Sequence, residues 1–182
     1  MIGLDFCLDD TPFSQVCRLV EQDLEHDGQG APAGDDLPPC PEPLPTHVRV
    51  VGLLGRDLFA VEAVPHGARL TVPGGRFRRY WLPLPDEVST AIWHDAIDAA
   101  AHHVPYDYAG LWLPVWADVV AHQPPAWLCD AISRHKEFCS QLADTLCQAH
   151  GVDLLAGYRP ITVSPARLER GVVRFLSRKE KR

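Results

Sequence analysis

The sequence predicts an α+β fold, with a small antiparallel sheet packed by helices. Short β-branched or apolar runs separated by tight turns follow one another between residues 47 and 82, and helical apolar periodicity lies on either side of them. The resulting order is helix, strands, helix, helix, an arrangement in which helices pack on one antiparallel sheet. At 182 residues, with 46% hydrophobic content and five Trp, the chain has material for one real core. One domain is expected over 1–176, with a proline-rich insertion at about 27–45 and a basic tail over 177–182 that reads as solvated and frayed.

The opening residues, Met1 to Phe6, show no basic stretch followed by a sustained apolar one. Thr11-Pro12 reads as an N-cap followed by proline at the first helical position. Phe13, Val16, Cys17, Val20 and Leu24 then trace one helix face as far as Asp27-Gly28. From there to Pro45, Gly, Pro and Asp dominate, and Pro38 to Pro45 forbid helix or central strand. His47 to Leu54 and Leu58 to Val64 read as a hairpin around Gly55-Arg56-Asp57, and further strands are expected at 69–72 and 77–82. A helix is expected from about Asp86, with Val88, Ala91, Ile92, Ala96 and Ala99 on one side, stopping before Pro105. Tyr106 to Trp127 is aromatic-rich and irregular, and its rings either line an apolar groove or form core. A helix beginning at Cys139 should end at His150-Gly151. Ile161 to Val163 suggests a short strand, and Ser164-Pro165 caps a last short helix.

The net charge of -7 and pI near 5.6 argue against a general nucleic-acid partner, because neutralising phosphates needs a concentrated basic surface. No uninterrupted apolar stretch is long enough to span a bilayer, so no transmembrane segment is expected. The six cysteines include no C-x-x-C pair, which fits reduced thiols in cytoplasm. Adjacent His102 and His103 point about 100° apart on a helix, and His135 and Cys139 lack two further ligands at comparable spacing. Neither a metal nor another cofactor is expected.

Three residues carry the chemistry. Cys139 begins an amphipathic helix whose apolar stripe continues through Leu142, Ala143, Leu146 and Cys147. Unpaired N–H groups and the positive dipole end at a helix start favour thiolate, and they also donate to an oxyanion. The same pattern suits an ordinary buried cysteine. A thiolate nucleophile needs a base, and His47 opens a strand directly after the proline-rich loop, where a sheet would hold an imidazole at a cleft edge. Glu62 is a lone carboxylate in an apolar strand. It either faces solvent or has a partner. An even-numbered hairpin loop places it on the sheet face of His47, and an odd one on the other.

These pieces resemble a known family. Thr46-His47-Val48-Arg49-Val50-Val51 with Phe59-Ala60-Val61-Glu62-Ala63, then Val104-Pro105-Tyr106-Asp107, then Phe138-Cys139-Ser140-Gln141-Leu142, then Ser164-Pro165 occur in the order of the circularly permuted NlpC/P60 (papain-like) superfamily, YaeF/YiiX group. In that family the histidine strand precedes the cysteine helix. The resemblance implies Cys139 as nucleophile, His47 as base and Glu62 as the third, polar member of the triad. Tyr106 and Asp107, in the matching Pro-Tyr-Asp segment, and Ser140, beside the nucleophile, are the candidate substrate-contacting residues. Three features depart from the pattern: Arg49 stands where the family has glycine, Gln141 where it has Glu, and the proline-rich stretch is an insertion. The implied activity is a cysteine hydrolase of amidase or peptidase type. Its substrate would be a small amide, a cell-wall peptide or a lipid-linked amide. Two alternatives remain: a lipid acyltransferase of the lecithin retinol acyltransferase type, and a non-catalytic binding module retaining the fold.

Overall fold

A computed structural model of the chain describes residues 1–8, 37–107, 125 and 138–180. Five strands form one sheet: β1 (Ile2–Cys7), β2 (His47–Leu54), β3 (Asp57–Val64), β4 (Gly67–Thr71) and β5 (Phe77–Leu82). Their order is β4-β3-β2-β1-β5, and all neighbours are antiparallel. The described helices are α1 (Asp86–Ala101), α2 (Cys139–Ala149) and α3 (Pro165–Glu180), with a 3₁₀ turn at Pro160–Thr162. The α+β expectation therefore holds, with one strand in the sheet that the sequence did not suggest.

The added strand is β1, which lies between β2 and β5. Ile2, Leu4 and Phe6 are fully buried and alternate with Gly3 and Asp5. Asp5 is also fully buried, and this carboxylate inside the apolar run hides the strand from a hydropathy reading. Ile2, Leu4 and Phe6 join Val48, Val50, Val61 and Leu82 from the sheet, Ile92, Trp93 and Ala96 from α1, and Leu142, Ala143 and Leu146 from α2 in one apolar core. Burying each of the Val, Leu, Ile and Phe side chains contributes about 1.5–3 kcal/mol. The approach of α1 to the sheet is close: a Cβ added at Gly52 would lie 2.5 Å from the Trp93 ring. At the far edge of the same strand pair, Gly55 turns the hairpin with φ of 67°, a conformation that glycine adopts without steric penalty.

Several boundaries differ from expectation. Ile161 to Val163, expected as a strand, has a 3₁₀ turn in which the Thr162 amide and hydroxyl both donate to the Arg159 carbonyl, at 2.8 Å each. Local back-bonding takes the donors that a strand ladder would have used. The last helix does begin after Ser164, whose hydroxyl accepts the Arg167 N–H, but it is not short. It runs to Glu180, so residues 177–180 of the expected frayed tail are helical, with their side chains exposed. Arg178 and Lys179 in its last turn complement the helix dipole.

Residues 37–45 form neither helix nor strand, as their prolines dictate. They are fastened to the domain all the same. Arg78 donates to the carbonyls of Pro41 and Pro43 while forking onto buried Glu169 of α3, and Arg170 donates to the carbonyls of Leu37 and Pro38. The expected helix at 11–27, the loop at 28–36 and nearly all of the aromatic stretch after Asp107 lie outside the described residues.

Candidate active site

The hairpin decides where Glu62 points. β2 ends at Leu54 and β3 begins at Asp57, so the turn is the two residues Gly55-Arg56, an even number. Glu62 therefore shares the sheet face of His47. The register adds a second feature. β2 and β3 pair from Leu54↔Asp57 only as far as Val50↔Val61, while β2 continues along β1 to Cys7↔His47 and β3 continues along β4 to Val64↔Gly67. The sheet is forked at this end, and the start of α2 sits at the fork.

His47 lies in the opening. Its Nε2 is 3.0 Å from Glu62 Oε2, which leaves Nδ1 as the ring nitrogen for the hydrogen bond to Cys139. The other oxygen of Glu62 accepts a two-pronged bond from Arg69 on β4, 3.0 Å from Nε and 2.7 Å from Nη2. Arg69, directly opposite Glu62 in the β3–β4 register, did not stand out from the sequence. A charged pair across two adjacent strands becomes visible only once the register is known.

The helix start is built as the sequence suggests, with one change. Gln141 Oε1 accepts the N–H of Phe138 at 3.4 Å, so glutamine in place of glutamate still reaches back to the N-cap amide. The Ser140 hydroxyl does not face a substrate. It is fully buried and donates to the Val163 carbonyl at 2.6 Å, tying α2 to the 3₁₀ turn. What Ser140 brings to the site is its backbone N–H, which, with the N–H of Val48 at the fork, donates to the Cys139 sulfur.

Electrostatics follow from this arrangement. Burial opposes ionisation of Cys139, but the charge and hydrogen bond of His47 and the two backbone donors outweigh it and hold the thiol below its ordinary pKa. Burial likewise disfavours the imidazolium, yet the Cys139 thiolate and the Glu62 carboxylate together raise His47 to about 9. Glu62 is disfavoured as an anion by burial, but the bonds from His47 and Arg69 and their charges bring it down to about 2. The other cysteine of α2 behaves in the opposite way. Burial, with Asp144 nearby, pushes Cys147 up to about 12.

The structure thus brings together Cys139, His47 and Glu62. Tyr106 is half-buried and packs against the main core, and Asp107 is buried. Among the described residues no cluster of His, Cys, Asp and Glu could hold a metal ion, and no helix is long and apolar enough to cross a membrane. No family model, no curated protein and no solved structure matches the chain.

Proposed function

We propose that this protein is a cysteine hydrolase that cleaves an amide through a covalent acyl-enzyme, in a permuted papain-like architecture. The observation that carries the reading is the relay in which His47 bridges the helix-start thiol of Cys139 and the carboxylate of Glu62. A histidine fixed by a carboxylate on one nitrogen presents the other to the nucleophile in a set tautomer.

The steps follow from the geometry. Cys139 and His47 rest as thiolate and imidazolium, and Glu62 stabilises the latter. The sulfur attacks the amide carbon, a C–S bond forms, and the carbonyl electron pair moves onto oxygen. Backbone N–H groups at the start of α2 lack intrahelical partners and donate to that oxyanion. As the C–N bond breaks, His47 gives its proton to the departing amine. His47, now neutral, accepts a proton from water as water attacks the thioester, and the acid and the thiolate–imidazolium pair are released and restored.

The test is the iodoacetamide labelling rate of each cysteine in the native protein from pH 5 to 9, for wild type and His47→Ala. Cys139 should label well below the free-thiol pKa of about 8.5 and lose that advantage without His47. Cys147 serves as the internal control. A Cys139 that labels no faster than Cys147, or ignores His47, rules the reading out.

A further inference from the structure

We infer that Arg49, Asp5 and Arg79, in a row beside His47, form a subsite for a carboxylate on the substrate, so that the preferred amides carry an acidic group near the bond that is cut. This rests on the hydrolase reading above and assigns that same site its substrate class.

The row is set by register. Asp5 on the central strand stands opposite Arg49 of β2 on one side and opposite Arg79 of β5 on the other, so the three side chains share one sheet face. Arg49 is two residues on from His47 along β2, which puts it on the face of His47 and Glu62, about 7 Å farther along the strand. A position that is glycine in the family this chain resembles is therefore occupied by a cation that lies along the sheet and is buried.

One arginine is enough for Asp5. Arg79 forks onto it, Nε to Oδ1 at 2.6 Å and Nη2 to Oδ2 at 2.8 Å. Arg49 adds a longer contact to Oδ2 at 3.4 Å and otherwise reaches the Gly74 carbonyl at 3.1 Å. Among the described residues, two guanidinium groups against one carboxylate leave one positive charge in the row. The Nε of Arg49 is buried with no hydrogen-bond partner among the described residues. A buried donor and an uncompensated charge in the same row are costly for a purely structural ion pair, and a bound carboxylate would meet both.

The row is also held in place. Arg79 lies over the Phe77 ring at 4.7 Å and the Trp81 ring at 5.6 Å, and Arg49 lies over Phe77 at 5.4 Å. Stacked guanidinium planes present their remaining N–H groups in fixed directions, which suits forked recognition of a planar anion. Arg79 and Trp81 reach solvent, giving the row an open end. The surplus is a single charge, so a monoanionic carboxylate balances it, whereas a phosphate dianion would leave negative charge in excess.

The experiment uses charged and neutral alkylating reagents on the full chain. N-Iodoacetyl derivatives of glycine, β-alanine and 4-aminobutyrate are compared with the corresponding primary amides, which differ only in charge. Rates at Cys139 are each divided by the rate of the same reagent with glutathione. The carboxylate-to-amide ratio should exceed unity by about tenfold for at least one chain length, and should collapse to within about twofold in Arg79→Met and Arg49→Met. Asp5→Asn, which frees the guanidinium groups, should raise it. The ratio is taken within each protein, so a general loss of reactivity cancels. If Arg49→Met does not fold, Arg79→Met and Asp5→Asn decide. A ratio near unity at every length, a preference that survives Arg79→Met, or a stronger preference for the phosphonate analogue overturns the carboxylate subsite alone. Neutral reagents that fail to select Cys139 over Cys147 overturn the hydrolase reading, and the subsite with it.

Discussion

His47 and Glu62 stand on opposite arms of one hairpin, 15 residues apart in sequence, and their side chains meet at 3.0 Å where the two arms have already stopped pairing. The fork lets an imidazole turn toward both a carboxylate and a thiol. In a fully paired ladder the Val48 N–H would be taken up by a neighbouring strand. Here it donates to the Cys139 sulfur.

Removing the carboxylate should separate orientation from charge. Glu62→Gln keeps a hydrogen-bond acceptor but removes the negative charge that supports the imidazolium, so the His47 pKa falls and the pH at which Cys139 labels moves upward. The maximal alkylation rate at pH 6 should drop about tenfold to a hundredfold. Arg69→Met, at a half-exposed side chain, leaves the His47–Glu62 bond in place and should change that rate by no more than about threefold. Equal effects of the two substitutions would mean that Arg69, through its fork onto Glu62, holds the relay together.

Asp144 sets a pH dependence of stability. Burial, with Asp153 nearby, raises its pKa to about 7, against an unfolded value of about 3.9. Between those values the folded chain keeps a proton at Asp144 that the unfolded chain has released, so the contribution of this group to stability falls as pH rises from about 4 to 7 and is level above. Asp144→Asn should remove that slope and be more stable than wild type at pH 8 by on the order of 2–4 kcal/mol. Urea unfolding at pH 4.5, 6 and 8 reads the difference. A wild type and a variant that keep the same pH profile would contradict it.

Glu169 is the anchor of the segment that leads into His47. It is fully buried, accepts both prongs of Arg78 at 2.7 and 2.6 Å, and accepts the Cys40 thiol at 3.4 Å. Glu169→Gln leaves the Arg78 charge uncompensated and should cost about 3–5 kcal/mol. The double variant Arg78→Met/Glu169→Leu should recover only part of this, because Arg78 also holds the carbonyls of Pro41 and Pro43. Chemical denaturation of the three proteins measures it.

Gly52→Ala tests the packing of α1 on the sheet. The new methyl would fall 2.5 Å from Trp93 Cδ2, so the ring or the helix must shift, at a cost of about 1–3 kcal/mol. A lowered melting temperature with a changed near-ultraviolet signal from the tryptophans is expected. An unchanged midpoint would show that the contact is looser than described.

How much was legible in the sequence depended on how local the signal was. The β2–β3 hairpin, α1 and the α2 helix from Cys139 to its cap at His150-Gly151 follow from periodicity and turn chemistry within a short window. β1 was missed because its partners, β2 and β5, lie at least forty residues away and its buried Asp5 makes the run look polar. The forked bond that Arg79 brings from β5 makes that carboxylate tolerable inside the sheet, and no residue near Asp5 in sequence supplies it. The strand expected at Ile161 was lost to local hydrogen bonds of Thr162, a competition that hydropathy does not register.

For the site, the sequence by itself determined the chemical types: a cysteine at a helix start, a histidine opening a strand, and a lone glutamate in the strand that follows. It also set the condition on which they meet, the parity of the hairpin turn. Only the tertiary structure decided that the turn has two residues, that the ladder forks beyond Val50 and that Arg69 holds the far side of Glu62. It likewise decided that the Ser140 hydroxyl turns inward and that Arg49 joins Asp5 and Arg79. The reason is physical. Residue type and local period are written along the chain, whereas register, burial and the charges facing a group arise only when distant segments share one interior.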